Sequence, residues 1–353
     1  MNEQGSKSSL TEISTLGEFG LIDHLTKDVS PINHSTIKGI GDDAAIVHAK
    51  DDFVVVTKDL LVEGVHFDLG FTPMKHLGYK SVAVNLSDVY AMNGRPEQIF
   101  VGIAVSSKYS VEALESLYEG IKTACRKYNV DLAGGDTTSS PAGMTLSITA
   151  IGKVNKDKVC YRSGAQVNDL ICVSGNLGAA YCGLLVLQRE KAAFTGGSQA
   201  QPDLSEYAYV IERQLKPEPR RDIIEKLHSM EIVPTSMIDI SDGLASEILH
   251  LCKQSGNGAI VYEEHFPIDT RMAAVAHEFN LDPTTCALSG GEDYELLFTV
   301  AQKDFEKLKS IDDVSIIGHI VEAHKGKHIV SSSGQWIELT SLGWDGFAQS
   351  KSL

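Results

Sequence analysis

Apolar residues dominate the stretch Gly78 to Pro96, GYKSVAVNLSDVYAMNGRP, and the few polar ones fall at regular intervals. Read as a helix over Tyr79 to Met92, it places Ser81, Asn85 and Asp88 at i, i+4 and i+7, a single narrow polar stripe. Val82, Ala83, Val84, Leu86, Val89 and Ala91 cover most of the remaining surface, which predicts a helix buried on most sides. Asn93-Gly94 and then Pro96 end it. A lone carboxylate on such a helix is costly to bury, and no Lys or Arg stands at i±3 or i±4 of Asp88. Asp88 therefore needs a cation; a helix cap or a salt bridge inside the core is the plain alternative, and a metal ion is favoured.

The same patterning predicts the other elements. Gly17 to Leu25 reads as a short amphipathic helix, and Asp51 to Thr57 as a β-branched strand closed by Lys58-Asp59. Gln98 to Val105 is a second strand, and Val111 to Tyr128 a helix with Leu114, Leu117, Tyr118, Ile121 and Cys125 on one face. Val130 to Gly152 reads strand, loop, strand, the loop being AGGDTTSSPAG. Further on come a strand at Leu170 to Ser174, a helix to about Leu187, a surface loop over residues 191–206 and a helix from Arg220 to His228. MIDISDG leads into a helix at Leu244 to Lys253, and ALSGGEDYELLFTV into another strand. A strand at 314–320 and a segment holding Trp336, Trp344 and Phe347 finish the chain.

A length of 353 residues predicts two domains. With 22% charged and 42% hydrophobic residues, no apolar run reaches the ~18 residues of a membrane span. Met1 to Ser9 lacks a signal-peptide core, so a cytoplasmic location is expected, with no membrane partner. The six cysteines form no CxxC pair, against a zinc site or a disulfide framework. A net charge of −16 without a basic cluster argues against nucleic acid. An acidic protein that binds phosphates does so through divalent cations.

The candidate chemistry is a scatter of carboxylates. Asp42 and Asp43 follow a glycine turn in GIGDDA, whose GxGxxA spacing mimics a dinucleotide fingerprint, but two acids occupy the place where a pyrophosphate needs bare N–H groups. Asp59 stands at a predicted strand end, Asp136 after Gly134-Gly135, and Asp239 and Ser241 on one side of a strand. Asp242 sits at a helix cap, which by itself explains an aspartate. Glu292 and Asp293 repeat the glycine-glycine-acid device in the second half. His66, one of twelve histidines, reads by itself as structural, Tyr118 as core, and Arg162 as either a linker charge or a phosphate contact. No GxxxxGK[ST], GxSxG or HExxH motif is present. Many carboxylates, glycine loops and no nucleophile suit Mg2+ ions clamping a polyphosphate.

GIGDDAA, TKDLLVEGVHF, NLSDVYAMNGRP, AGGDTT, YRSGA, DISDGL, SGGEDYEL and WDGF follow one another in an order that resembles the thiamine-monophosphate kinases, from about Gly17 to Phe347. The resemblance implies an α/β (α+β) chain with the two-domain fold of the aminoimidazole-ribonucleotide synthetase superfamily, an N-terminal α/β domain and a C-terminal α+β domain. Its expected division is a tail at 1–15, an N-terminal domain at 16–154 that binds ATP and magnesium and pairs in a homodimer, and a C-terminal domain at 155–353 that completes the site. It implies conversion of ATP and thiamine phosphate to ADP and thiamine diphosphate with several Mg2+. Carried over motif by motif, Asp43, Thr57, Asp59, Asp88, Asp136, Asp239 and Asp242 match magnesium positions, with Asp43, Asp59, Asp88, Asp136 and Asp239 the catalytic set. Tyr118, Gly135, Asp136, Arg162 and Ser241 match nucleotide contacts, and His66, Glu292 and Phe347 the substrate side. One departure is Lys58, where the family often has Ser or Thr. A selenophosphate synthetase would carry an early reactive Cys, and the first here is Cys125; a hydrogenase-maturation relative would end in Cys, and this chain ends Lys-Ser-Leu. The remaining alternatives are a dinucleotide-dependent oxidoreductase and a non-catalytic Mg-nucleotide-binding regulator.

Overall fold

The computed structural model describes Gly20 and residues 34–38, 41–195 and 203–340. The expected tail, the helix at Gly17 to Leu25 except Gly20, Trp344 and Phe347 lie outside the described residues. The first half builds a six-stranded sheet in the order β1-β2-β3-β6-β4-β5, from β1 (Thr36–Lys38), β2 (Ala45–Ala49), β3 (Asp52–Val62), β4 (Arg95–Val105), β5 (Asp131–Ser139) and β6 (Met144–Asn155). Among the described strand pairs of this sheet only β4 and β5 run parallel.

Two predicted boundaries move for the same reason. Lys58-Asp59 does not close β3, because β6 pairs with that strand at every position from Asp52↔Asn155 to Val62↔Thr145. Eleven consecutive partners outweigh two residues of poor strand propensity. AGGDTT is likewise no loop: it lies within β5, and Gly135 is required there because a Cβ would sit 1.9 Å from the Val101 carbonyl oxygen.

Helix α1 (Met74–Ala91) starts earlier than the sequence pattern suggests, and Gly78 lies inside it. Two glycines explain the extension: a Cβ on Gly78 would stand 1.9 Å from the Leu117 carbonyl, and one on Gly120 1.9 Å from that of Lys75. They let α1 and α2 (Val111–Tyr128) cross backbone to backbone. α1 also packs on β3, β4 and β6, and on β8 of the second sheet, so it is apolar nearly all round.

The second half forms a seven-stranded sheet, β13-β12-β9-β11-β7-β10-β8, from β7 (Leu170–Ser174), β8 (Ser236–Asp239), β9 (Gly258–Tyr262), β10 (Leu296–Val300), β11 (Val314–Val321), β12 (Lys327–Val330) and β13 (Trp336–Glu338). Helices α3 (Ala179–Thr195), α4 (Ala208–Leu215), α5 (Arg221–Ser229), α6 (Leu244–Ser255), α7 (Thr270–Glu278) and α8 (Pro283–Ser289) accompany it. Part of the loop expected at 191–206 is therefore the end of α3. One apolar cluster joins Leu86 and Val89 of α1 to Met237 of β8, Phe298 of β10 and Ile223 of α5, so the two halves share a core. Among the described residues no helix is long and apolar enough to cross a membrane.

Candidate active site

The run of β3 past its predicted end has a direct consequence for the site. With side chains alternating, Thr57 and Asp59 both face α1. Thr57 Oγ1 donates to Asp88 Oδ2 at 2.6 Å, and the Asp59 N–H to Asn85 Oδ1 at 3.1 Å. Of the polar stripe, Ser81 and Asn85 are structural: Ser81 Oγ donates to the Gly78 carbonyl at 2.9 Å, and Asn85 Nδ2 to that of Ser81 at 3.0 Å. Asp88 alone points to other acids. One oxygen each of Asp43, Asp88 and Asp239 lies within 4.8 Å of the others. Asp239 reaches them because β8 ends on it against α1.

Electrostatics follow from that crowding. Burial, then the charges of Asp59, Asp239 and Asp43, hold the Asp88 carboxyl well above the usual range. Burial and then Asp43 do the same to Asp239, and burial raises Asp59 to about 6. The Arg162 guanidinium pairs with Asp43, through Nε to Oδ2 and Nη2 to Oδ1, both at 3.0 Å, and its charge also favours ionised Asp239 from further away. Among the described residues Asp88 and Asp239 have no such bidentate partner, and an all-oxygen cluster without thiolate or imidazole is the donor set of a hard divalent cation. The residues fit magnesium.

A cleft of about 150 Å³ opens above them, lined among others by Asp59, His66, Lys80, Asp88, Asp239, Ser241, Glu292 and Tyr294. Glu292 and Tyr294 take left-handed backbone, φ 57° and 51°, and hydrogen bonds from their N–H groups to the Ser241 and Ile240 carbonyls, 2.6 and 2.9 Å, hold them there. Asp293, between them, turns away. Its carboxylate accepts from the Gly178 and Ala180 N–H groups, 2.6 and 3.3 Å, at the start of α3, so the second acid of this loop is structural. His66 Nδ1 accepts from the Val62 N–H at 3.0 Å. Lys80 and Tyr294 escape the reading by motif; the signal for Lys80 was a lysine within a helix otherwise read as buried.

Asp42 is enclosed and pushed up to about 6, by burial first and Asp43 second, while its Oδ1 accepts from the N–H groups of Asp43 and Arg162 at 3.2 and 3.1 Å. Asp242 is no helix cap: Gly243 holds that position, and the Asp242 N–H donates to Glu247 Oε1 at 2.9 Å. Tyr118 packs half-buried on the core of the first half. Asp136 shares a cross-strand row with Gly102, Ser147 and Leu60, so it projects from the face opposite to that of Asp59, three strands or roughly 14 Å away. Gly135 lies in the row of Asp59, at the far edge of the sheet.

Two half-chain domains meeting over an acidic cleft define a class. The model of the AIR synthase related protein N-terminal domain matches residues 41–154, and that of the C-terminal domain residues 166–331. Within that class, the thiamine-monophosphate kinase of Bacillus subtilis (strain 168) is 34% identical, over 94% of this chain and all of its own (100%). That of Buchnera aphidicola subsp. Schizaphis graminum is 36% identical, over 89% of this chain and 94% of its own. A solved structure described as AaThiL complexed with AMPPCP and TMP superposes with a TM-score of 0.81 at 30% identity, covering 96% of this chain and 99% of the other. The chain belongs to the thiamine-monophosphate kinase family.

Proposed function

We propose that this chain transfers the terminal phosphoryl group of ATP to the phosphate of thiamine phosphate, giving ADP and thiamine diphosphate. The observation that carries this reading is the set of enclosed carboxylates Asp43, Asp88 and Asp239 facing one another beneath a cleft, in a chain whose relatives bear that name. A phosphate oxygen of the acceptor forms the new bond to the γ-phosphorus as the bond from that phosphorus to the β–γ bridging oxygen breaks. The acceptor phosphate is already ionised near neutral pH, so the chain needs neither nucleophile nor obligatory base. Asp43, Asp88 and Asp239, with Asp59 beside them, would hold magnesium, which when bound offsets the charge of both anions. Thr57 orients Asp88, Arg162 fixes Asp43, and the Ser241 and Glu292 backbones fix the opposite wall.

The domain division at 154/155 and the homodimer belong to the same reading. The face of the first sheet turned away from α1 exposes Leu60 and Phe100, and all of β5 is exposed at its edge, a surface suited to a second copy. In that arrangement Asp136 would serve the partner's site rather than its own. Six buried free thiols accord with a cytoplasmic location. The test is incubation of the pure protein with ATP, Mg2+ and thiamine phosphate and separation of the thiamine esters; ADP release without thiamine diphosphate rejects the reading.

A further inference from the structure

We infer that the ammonium of Lys80 receives the phosphate group of the acceptor substrate, held in place for that task by Glu292 and Gln214. The inference rests on the reading just proposed and names a cation that the motifs of the family did not. Lys80 sits in the second turn of α1 and is only 3% exposed, which for a lysine demands fixed partners. Among the described residues it has two: the Gln214 carbonyl at 3.1 Å and Glu292 Oε1 at 2.9 Å. Gln214 Nε2 donates to Glu292 Oε2 at 2.7 Å, so both oxygens of that carboxylate are engaged and the bracket is closed. An ammonium has three donors, and the residue lines the cleft, so the third is available to a ligand there.

Charge explains why a ligand would use it. The cleft wall carries Asp59, Asp88, Asp239 and Glu292 against this one lysine, while Arg162 is bound to Asp43. Divalent ions on the carboxylates meet one side of an incoming phosphate; its remaining oxygens need a donor opposite, and a compact ammonium supplies it. Lys80 and Asp88 are two turns apart on one rigid helix, on the order of 12 Å along the axis, a span that accommodates phosphoryl groups between metal and ammonium.

The test compares the full-length protein with Lys80→Met, Lys80→Gln and Lys80→Arg, each checked by thermal melting. Affinities for thiamine phosphate and for unphosphorylated thiamine are measured by calorimetry, with KM for ATP alongside. Expected is a loss of at least about tenfold in thiamine phosphate affinity for Met and Gln, partial recovery for Arg, and thiamine and ATP within about twofold of wild type. Equal weakening of thiamine and thiamine phosphate would make Lys80 a support for Glu292 and overturn the inference, as would unchanged affinity for both. Should Met fail to melt cooperatively, Gln and Arg decide by the same comparison. A wild type that makes no thiamine diphosphate removes the underlying reading and the inference with it; an active wild type with indifferent variants overturns the inference alone.

Discussion

Thr57, halfway along a strand, donates a 2.6 Å hydrogen bond to Asp88, on the helix that the strand packs against. The bond aims the carboxylate without supplying a positive charge, and the other groups around Asp88 are acids. Geometry that leaves like charges together is unfavourable to the empty fold and useful to a site that gathers cations.

Asp88→Asn separates the two consequences. Turnover is expected to fall below detection, while the ion-free protein melts about 1 to 2 °C higher, roughly 1 kcal/mol of relieved repulsion. Product analysis and scanning fluorimetry read both, and near-normal thiamine diphosphate formation would reject the role of Asp88.

Arg162 and Asp43 form an enclosed bidentate pair. Removing only the guanidinium leaves a buried unpaired charge, so Arg162→Met is expected to cost about 3 kcal/mol in urea unfolding. Adding Asp43→Asn should recover most of that stability without restoring activity. A double variant no more stable than the single one would show that the pair contributes little.

Glu218 ties the halves together, accepting from Tyr79 at 2.7 Å, from Lys127 at 2.6 Å and from Tyr128, with Lys216 3.1 Å away. Burial pushes its carboxyl up, but these partners outweigh it and leave it lowered. A folded value below the unfolded one, about 4.3, stabilises fully above that pH and is lost as pH falls through the folded value. Glu218→Gln should therefore cost about 1 to 2 kcal/mol at pH 7, and the gap from wild type should close below about pH 4. Melting curves across pH check it; a gap independent of pH would exclude the charge.

Gly78→Ala drives a methyl group into the Leu117 carbonyl across the α1/α2 crossing. The helices must part, and with α1 go Lys80 and Asp88. A loss of at least about 2 kcal/mol is expected, against a slight gain for the same change at an unobstructed helical site. Chemical denaturation decides between them.

The bare face of the first sheet gives a last expectation. Phe100→Asp places a charge on that face, where Phe100 is 38% exposed, and should shift the protein to a monomer by light scattering and lower its turnover. An unchanged oligomer would put the interface elsewhere.

Local pattern was sufficient where the residues answer to their own helix or strand. α2 keeps the boundaries Val111 and Tyr128, its amphipathic face being set by its own sequence. The all-round apolar character of α1 announced a central helix, and Asp88, its one unsupported acid, is where other acids gather. Pattern failed where a neighbour decides: β6 carries β3 through Lys58-Asp59, and β4 turns the glycine-rich AGGDTT into a strand.

By itself the sequence determined the fold class and the family, because repeats of hydrophobicity and ordered motifs are written along the chain. Only the tertiary structure decided which acids meet: Asp43, Asp88 and Asp239 converge, Asp293 caps a helix, and Asp136 faces away. The reason is that repulsion, burial and pairing act through space, between residues separated by up to 196 positions, the span from Asp43 to Asp239. No local spacing encodes such distances.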